Sequence, residues 1–162
     1  MTAQPKTTKL KTKDNMTIRQ ARPEDADAIT DFQKKMAWET EQFELDHEKV
    51  SNGVLKVFAE PFRGRYWVAE DEGTVIASLL ITYEWSDWRN TDVWWIQSVY
   101  VLPGFRRRGV FREMYKAVKE EADKQHIAGL RLYVETNNVP AQKTYESLGM
   151  QCQHYKMYEW LK

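Results

Sequence analysis

Cysteine is nearly absent from this chain. Cys152 stands alone among 162 residues, so no internal disulfide can form and no cysteine cluster can hold a metal. Such sparing use of thiols suits a reducing compartment. The three histidines, His47, His126 and His154, lie far apart and match no metal-binding spacing; no metal is expected. No apolar run approaches the roughly 20 residues needed to cross a bilayer. The opening stretch MTAQPKTTKLKTKDN has no apolar segment of the kind a secretory signal carries and lacks the arginines of a transit peptide. Residues 1–14 read as a mobile tail, residues 15–162 as one domain, and the chain is expected to be cytoplasmic. An excess of either charge is missing too: 24 Lys+Arg face 24 Asp+Glu. Nucleic-acid-binding domains are usually basic, which sets that class aside. Neither G-x-x-x-x-G-K-[ST] nor G-x-G-x-x-G occurs, so the Walker and dinucleotide loops are excluded.

Aromatic residues are plentiful. They make up 13% of the chain, with seven Trp, and predict an aromatic-rich core. TIRQA alternates as a strand. Pro23, Glu24 and Asp25 then open a helix whose apolar positions Ala26, Ile29, Phe32 and Met36 keep helical spacing to about Trp38. A second helix is expected in VSNGVLKVFAEPF, ended by Pro61. RYWVAE and TVIASLLITYEW form a hairpin around Asp71–Gly73, and VWWIQSVYVL is a further strand. From Gly109 to about Gln125, Phe111, Met114, Tyr115, Val118 and Ala122 share one helix face. LRLYVE reads as a strand, PAQKTYESL as a short helix between Pro140 and Gly149, and YKMYEWL as a closing strand. The strand-helix-strand unit around the 109–125 helix implies a parallel pair with a right-handed crossover. The expected class is α/β (α+β), with a mixed, mostly antiparallel central sheet and flanking helices.

Within this neutral chain, VLPGFRRRGVFREMY gathers three arginines at the mouth of one helix. The first N–H groups of a helix lack internal acceptors and, with the helix dipole, attract anions. Guanidinium groups add charge-assisted bonds suited to phosphate oxygens, and Gly109 lets a ligand approach the backbone. A solvated basic turn with a glycine cap is the alternative reading of the same residues. A second motif follows about thirty residues later: Asn138, Ala141, Tyr145, Leu148 and Gly149 in NNVPAQKTYESLGM.

Together these residues resemble the GNAT superfamily of N-acetyltransferases. The family's pyrophosphate loop, [QR]-x-x-G-x-[GA], is matched at Arg106 and Gly109 and departs at Phe111, where a small residue is usual. The second motif is matched without a gap, and the element order agrees over about residues 16–162. The resemblance implies acetyl-CoA as co-substrate, held in a wedge between two splayed strands. Val99, Tyr100 and Val101 would lie along the pantetheine arm, with backbone pairing at Val99 and Val101. Arg106, Arg107, Arg108, Gly109, Val110, Phe111 and Arg112 would hold the pyrophosphate, and Asn138, Ala141 and Tyr145 would face the cofactor.

The implied reaction is acetyl transfer to a primary amine of a small molecule, by direct transfer in a ternary complex. Tyr145 would protonate the departing thiolate, and a backbone N–H near Val99 would meet the oxyanion. Many relatives carry Glu where this chain has Gln97, and an amide cannot take a proton. Glu84 is the candidate base, acting through water, with Asp87, Asp92 and Glu135 as others. Cys152 is not expected to carry an acetyl group. Glu39, Glu41, Glu44, Asp46 and Glu48, with Trp38, Phe43, Trp85 and Trp88, suit recognition of an amine. Two further readings stay open, a protein or peptide acetyltransferase and a catalytically weak acyl-CoA-binding regulatory module. The aromatic YKMYEWL segment, read as an edge strand, suggests a homodimer.

Overall fold

Apolar and β-branched residues crowd TVIASLLITYEWS and TDVWWIQSVYV, and these form the two longest strands of the sheet. The computed structural model describes residues 10–11, 16–152 and 154–162. The chain divides into two compact units, the first ending at Leu132 and the second beginning at Tyr133. The first holds strands β1 (Leu10–Lys11), β2 (Thr17–Gln20), β3 (Arg65–Asp71), β4 (Thr74–Ser86), β5 (Thr91–Val101) and β6 (Gly129–Arg131), with helices α1 (Ala26–Glu41), α2 (His47–Ala59) and α3 (Val110–Lys124). The strands lie side by side in chain order. All neighbours are antiparallel except β5 and β6, which run parallel across the α3 crossover. This is the mixed, mostly antiparallel sheet expected. Of the anticipated N-terminal tail, Leu10–Lys11 pair with Thr17 and Ile18; its other residues lie outside those described.

Strand alternation buries both faces of the sheet. On one face, Tyr66 and Val68 pack with Ala26 and Ile29 of α1 and Val54 of α2, alongside the half-buried Leu80. Trp67, Ala69, Leu79, Ile81, Trp94 and Ile96 occupy the alternate positions and are buried as well. The third helix, α3, packs on β2, β3 and β5 through a face that includes Val110, Met114, Ala117, Val118 and Ala122. Trp94 is the largest side chain that is almost wholly enclosed. Burying an apolar side chain of moderate size contributes roughly 1.5–3 kcal/mol, so these two layers supply most of the driving force.

Several boundaries differ from the sequence reading. Helix α1 runs past Trp38 to Glu41, because Glu39, Thr40 and Glu41 do not oppose helix. It stops where Gln42 takes a left-handed conformation (φ 53°) and its N–H bonds Trp38 O. Strand β6 spans Gly129–Arg131 rather than LRLYVE. The second unit holds α4 (Val139–Ser147), but YKMYEWL forms no strand. Its Tyr155, Tyr158 and Trp160 are exposed. Aromatic residues favour a strand only where a pleated surface and a partner ladder receive them, so composition alone misread this segment.

A buried ion cluster joins sheet and helix. The Arg19 guanidinium donates to both carboxylate oxygens of Asp25, at 2.7 and 2.9 Å, and to Glu70 Oε2 from Nε and a terminal nitrogen. Asp25 also accepts the Arg22 N–H at 2.7 Å, closing the turn that leads into α1. Burial alone would raise the Asp25 carboxyl. The bonds from Arg19 and Arg22 outweigh it and hold the group below the usual carboxylate range. A carboxyl depressed in the folded state adds stability above its unfolded pKa, and that stability fades as pH falls through the folded value. Replacing Asp25 by Ala leaves a buried guanidinium with Glu70 as its remaining carboxylate. This should cost about 3 kcal/mol, at the low end for a broken buried pair. Urea unfolding at several pH values checks both points: the deficit should be full near neutrality and shrink in acid.

Candidate active site

The first feature of the site is a fault in the β4–β5 ladder. Ala77 and Ser78 face Val101 and Tyr100, but Leu80 faces Gln97. Two residues of β5, Ser98 and Val99, therefore stand against Leu79 alone, forming a β-bulge. Ser98 carries the strain, with φ at 51°. A bulge re-aims the backbone around it, here at the residue expected to offer an oxyanion N–H. No Gly or Asn marks the position, so only the mismatch in register reveals it.

The second feature is the short reach of β6. It pairs with Val93, Trp94 and Trp95 only. From Ile96 to Val101, β5 has β4 on one side and, among the described residues, no strand paired on the other.

Beyond β5 the chain turns through Pro103–Phe105 into α3. Gly109 is the N-cap, at φ 77°, and no side chain caps the helix. A Cβ built on Gly109 would meet no atom within 4 Å, so the space before the helix is open. Arg107 and Arg108 are exposed, with the Arg108 guanidinium 5.4 Å from the Phe105 ring. Val110 is buried, Phe111 is half-buried and 6.3 Å from the Tyr115 ring, and Arg112 is exposed.

Arg106 behaves differently from its neighbours. Its Nε donates to Val101 O at 2.8 Å and a terminal nitrogen to Glu39 Oε2 at 2.6 Å. The guanidinium also lies 5.3 Å from the Tyr100 ring centre. Tyr100 donates its hydroxyl to Glu39 Oε1 at 2.7 Å and packs its buried ring on Phe32. Its side chain thus turns toward α1, leaving its backbone to the strand. Burial, and then the Glu39 carboxylate, push the Tyr100 hydroxyl up to about 12. Burial would raise Glu39; the Tyr100 and Arg106 bonds prevail and lower it.

The first candidate base, Glu84, is already engaged. Glu84 accepts from Trp95 Nε1 at 2.6 Å and from Arg131 at 2.8 and 2.9 Å. These bonds hold its carboxyl below the usual range, the Trp95 bond foremost. It also sits opposite Val93, roughly 20 Å along the strand from Val99. Gln97 donates to the Thr82 hydroxyl at 2.5 Å. Asp46 is spent as the α2 cap, accepting the Lys49 N–H. Trp38, Glu39 and Glu44, with Asp31, Lys35 and Leu45, line a depression of about 460 Å³ on α1 and the loop after it. Trp85 and Trp88 do not line it; they are exposed at the β4–β5 turn.

In the second unit, Asn138 caps α4, its Oδ1 accepting the Ala141 N–H at 3.2 Å. Tyr145 lies on the same helix, and burial raises its hydroxyl above the ordinary tyrosine value. Among the described residues, no group of three or more His, Cys, Asp and Glu is placed to hold a metal. No helix among them is long and apolar enough to cross a membrane.

The acetyltransferase (GNAT) family model matches residues 25–150. The chain belongs to the GNAT family. A crystal structure described as a possible acetyltransferase from Clostridium difficile 630 is 43% identical, with 91% of this chain and 97% of that one covered and a TM-score of 0.84. The aminoglycoside acetyltransferase AAC(6')-Iy, solved with a CoA-containing bisubstrate analogue, is 17% identical over 91% and 98% of the two chains, with a TM-score of 0.74. A ribosomal-protein-alanine N-acetyltransferase from Brucella melitensis biovar Abortus 2308 is 11% identical over 91% and 99%, with a TM-score of 0.75. These last two share the fold. No curated protein sequence matches the chain.

GNAT acetyltransferases use acetyl-CoA as co-substrate, so the geometry of β5 bears directly on this chain's chemistry. Ser98 offers a clean probe of the bulge. A β-branched residue is strongly disfavoured at φ 51°, and Ser98→Val should lower stability by about 1–2 kcal/mol. Ser98→Gly suits the conformation and should stay within about 0.5 kcal/mol of the parent. Paired thermal melts test this; equal stability of the two variants would mean that the strand is regular at this point.

Proposed function

We propose that this GNAT protein transfers the acetyl group of acetyl-CoA to a primary amine of a small molecule, directly, in a ternary complex. The observation that carries the reading is the run of β5 beyond Trp95, unpaired by β6, leading into the uncapped N-terminus of α3 at Gly109. An extended arm can add to a strand edge by backbone hydrogen bonds. A diphosphate fits open amides flanked by Arg107 and Arg108. The residues present therefore fit CoA.

In the proposed step the amine nitrogen forms a bond to the acetyl carbon, the carbon–sulfur bond breaks, and the electron pair leaves on sulfur. The backbone N–H near Val99 stabilises the oxygen as charge develops on it. Tyr145 gives its proton to the departing thiolate. The phenol is neutral near neutral pH and so able to donate; burial raises it and makes it no stronger an acid. Glu84 is bound to Trp95 and Arg131 and is left out of the proton path. The amine loses one proton to solvent before attack; once the bond has formed its nitrogen gives a second to solvent, and Tyr145 regains its own proton from solvent. Trp38, Glu39 and Glu44 supply the aromatic and acidic surface proposed to receive it. The exposed C-terminal aromatics, Tyr158 and Trp160, keep a homodimer within the proposal.

Calorimetry with CoA should give saturable binding below millimolar concentration, and Gly109→Val should weaken it. The added side chain would enter the open space before α3 and force φ 77° on a β-branched residue. No binding by the parent at millimolar CoA ends the proposal, and unchanged affinity in the variant moves the phosphates elsewhere. Thiol release measured across a panel of amines and peptides identifies the acceptor. On a responsive acceptor, Tyr145→Phe should retain acetyl-CoA binding while turnover falls about 10²- to 10⁴-fold, as for a lost general acid. A fully active, normally stable variant removes Tyr145 from the mechanism.

A further inference from the structure

Three arginines precede Gly109; Arg107 and Arg108 are exposed, with no carboxylate partner among the described residues. Arg106 is tied inward. Its Nε bonds the Val101 carbonyl and its terminal nitrogen bonds Glu39, at the far end of α1. The other oxygen of the same carboxylate receives the Tyr100 hydroxyl. Tyr100 is a buried residue of β5, wedged on Phe32. Glu39 therefore bonds, through separate oxygens, both the end of β5 and the first residue of the arginine turn. The Arg106–Val101 bond closes the loop on itself across its 3-10 turn. The result is a four-residue brace from helix to strand to loop.

We propose that Glu39 is a positioning residue for acetyl-CoA: by holding Tyr100 and Arg106 it keeps the phosphate loop in its binding conformation. This rests on the assignment of that loop to CoA. The division of labour follows from geometry. Arg107 and Arg108 supply charge to the phosphates, while Arg106 is a strut whose guanidinium is spent on Val101 and Glu39. The ion pair is about 40% exposed on both sides, at 41% and 37%, and such a pair contributes little to stability. Its value lies in fixing a short loop that would otherwise lose freedom when ligand binds. Glu39 also lines the depression on α1, so the same carboxylate adjoins the surface proposed for the amine.

The opposite design is also conceivable on these contacts: Glu39 could restrain Arg106 from the phosphates, and its loss would then tighten binding. The sign of one measurement separates them. Glu39→Gln should raise the Kd for CoA about tenfold, and the KM for acetyl-CoA with it; any part Glu39 plays in receiving the amine falls on the amine's own KM. Adding Glu39→Gln to Arg106→Ala should weaken CoA binding no further, since both changes break one brace. Tyr100→Phe, which keeps the ring on Phe32 and deletes one bond to Glu39, should weaken binding by a smaller factor. It serves as the comparison if Glu39→Gln lowers the melting temperature. Unchanged or tighter CoA binding, additive effects in the double variant, or a fall in kcat at constant KM would each overturn the positioning role. A parent protein that binds no CoA would instead defeat the cofactor assignment, and this inference with it.

Discussion

β5 has eleven residues and β6 has three, and a strand inside a sheet cannot leave its backbone groups without partners at no cost. β4 accompanies β5 along most of its length, up to Val101. On the other side the ladder stops at Trp95. What remains, among the described residues, is an unpaired strand edge, and it is a short one, bounded by Trp95 and the turn at Pro103 with the bulge at Ser98–Val99 inside it. An edge of this kind invites association with a passing strand unless something protects it. The proposed function gives it to an extended co-substrate. The parallel β5–β6 crossover through α3 also places the uncapped helix end just beyond that edge, so the proposed arm and phosphates would find their partners in sequence along one path.

Charge is distributed with the same economy. The chain as a whole is neutral, and a cluster of three arginines would repel itself if all three faced the same space. Arg106 is withdrawn by Glu39, Val101 and the Tyr100 ring. The opposite end of α1 is held by a like device, Asp25 on Arg19. The first helix is thus pinned at its start by a buried pair and near its end by an exposed one. Only the buried pair is of a kind that bears heavily on stability; the exposed pair acts on shape.

Local rules made much of the fold legible. The 3.6-residue period found α3 and its buried Met114 and Val118, and the hairpin signal found β3 and β4 around Glu72–Gly73, both of which have positive φ. The start of α3 was legible because Gly109 directly precedes the helical period. What escaped was non-local or lacked a chemical mark. Ser98 adopts a glycine-like conformation with no glycine to announce it. Glu39 and Arg106 are 67 residues apart, and nothing in the local pattern around either points to the other. YKMYEWL was read as a strand from composition, although no partner ladder was implied by its neighbours. Glu84 looked like an available carboxylate because its partners, Trp95 and Arg131, are brought to it by sheet register alone.

The engagement of Glu84 and the amide at Gln97 together define what kind of enzyme this chain can be. A carboxylate whose lone pairs are taken by an indole and a guanidinium, and whose pKa is lowered by them, is a poor proton acceptor near neutrality. Gln97 already donates to Thr82 and carries no basic site. On the acid side, the Tyr145 phenol is neutral near neutral pH and able to donate, and burial raises it without making it a stronger acid. An amine that has shed its proton in water is already a strong nucleophile, whereas a thiolate departs more readily when a positioned acid protonates it. On the proposed reading the protein's task is to fix the arm along β5 and return one proton to sulfur.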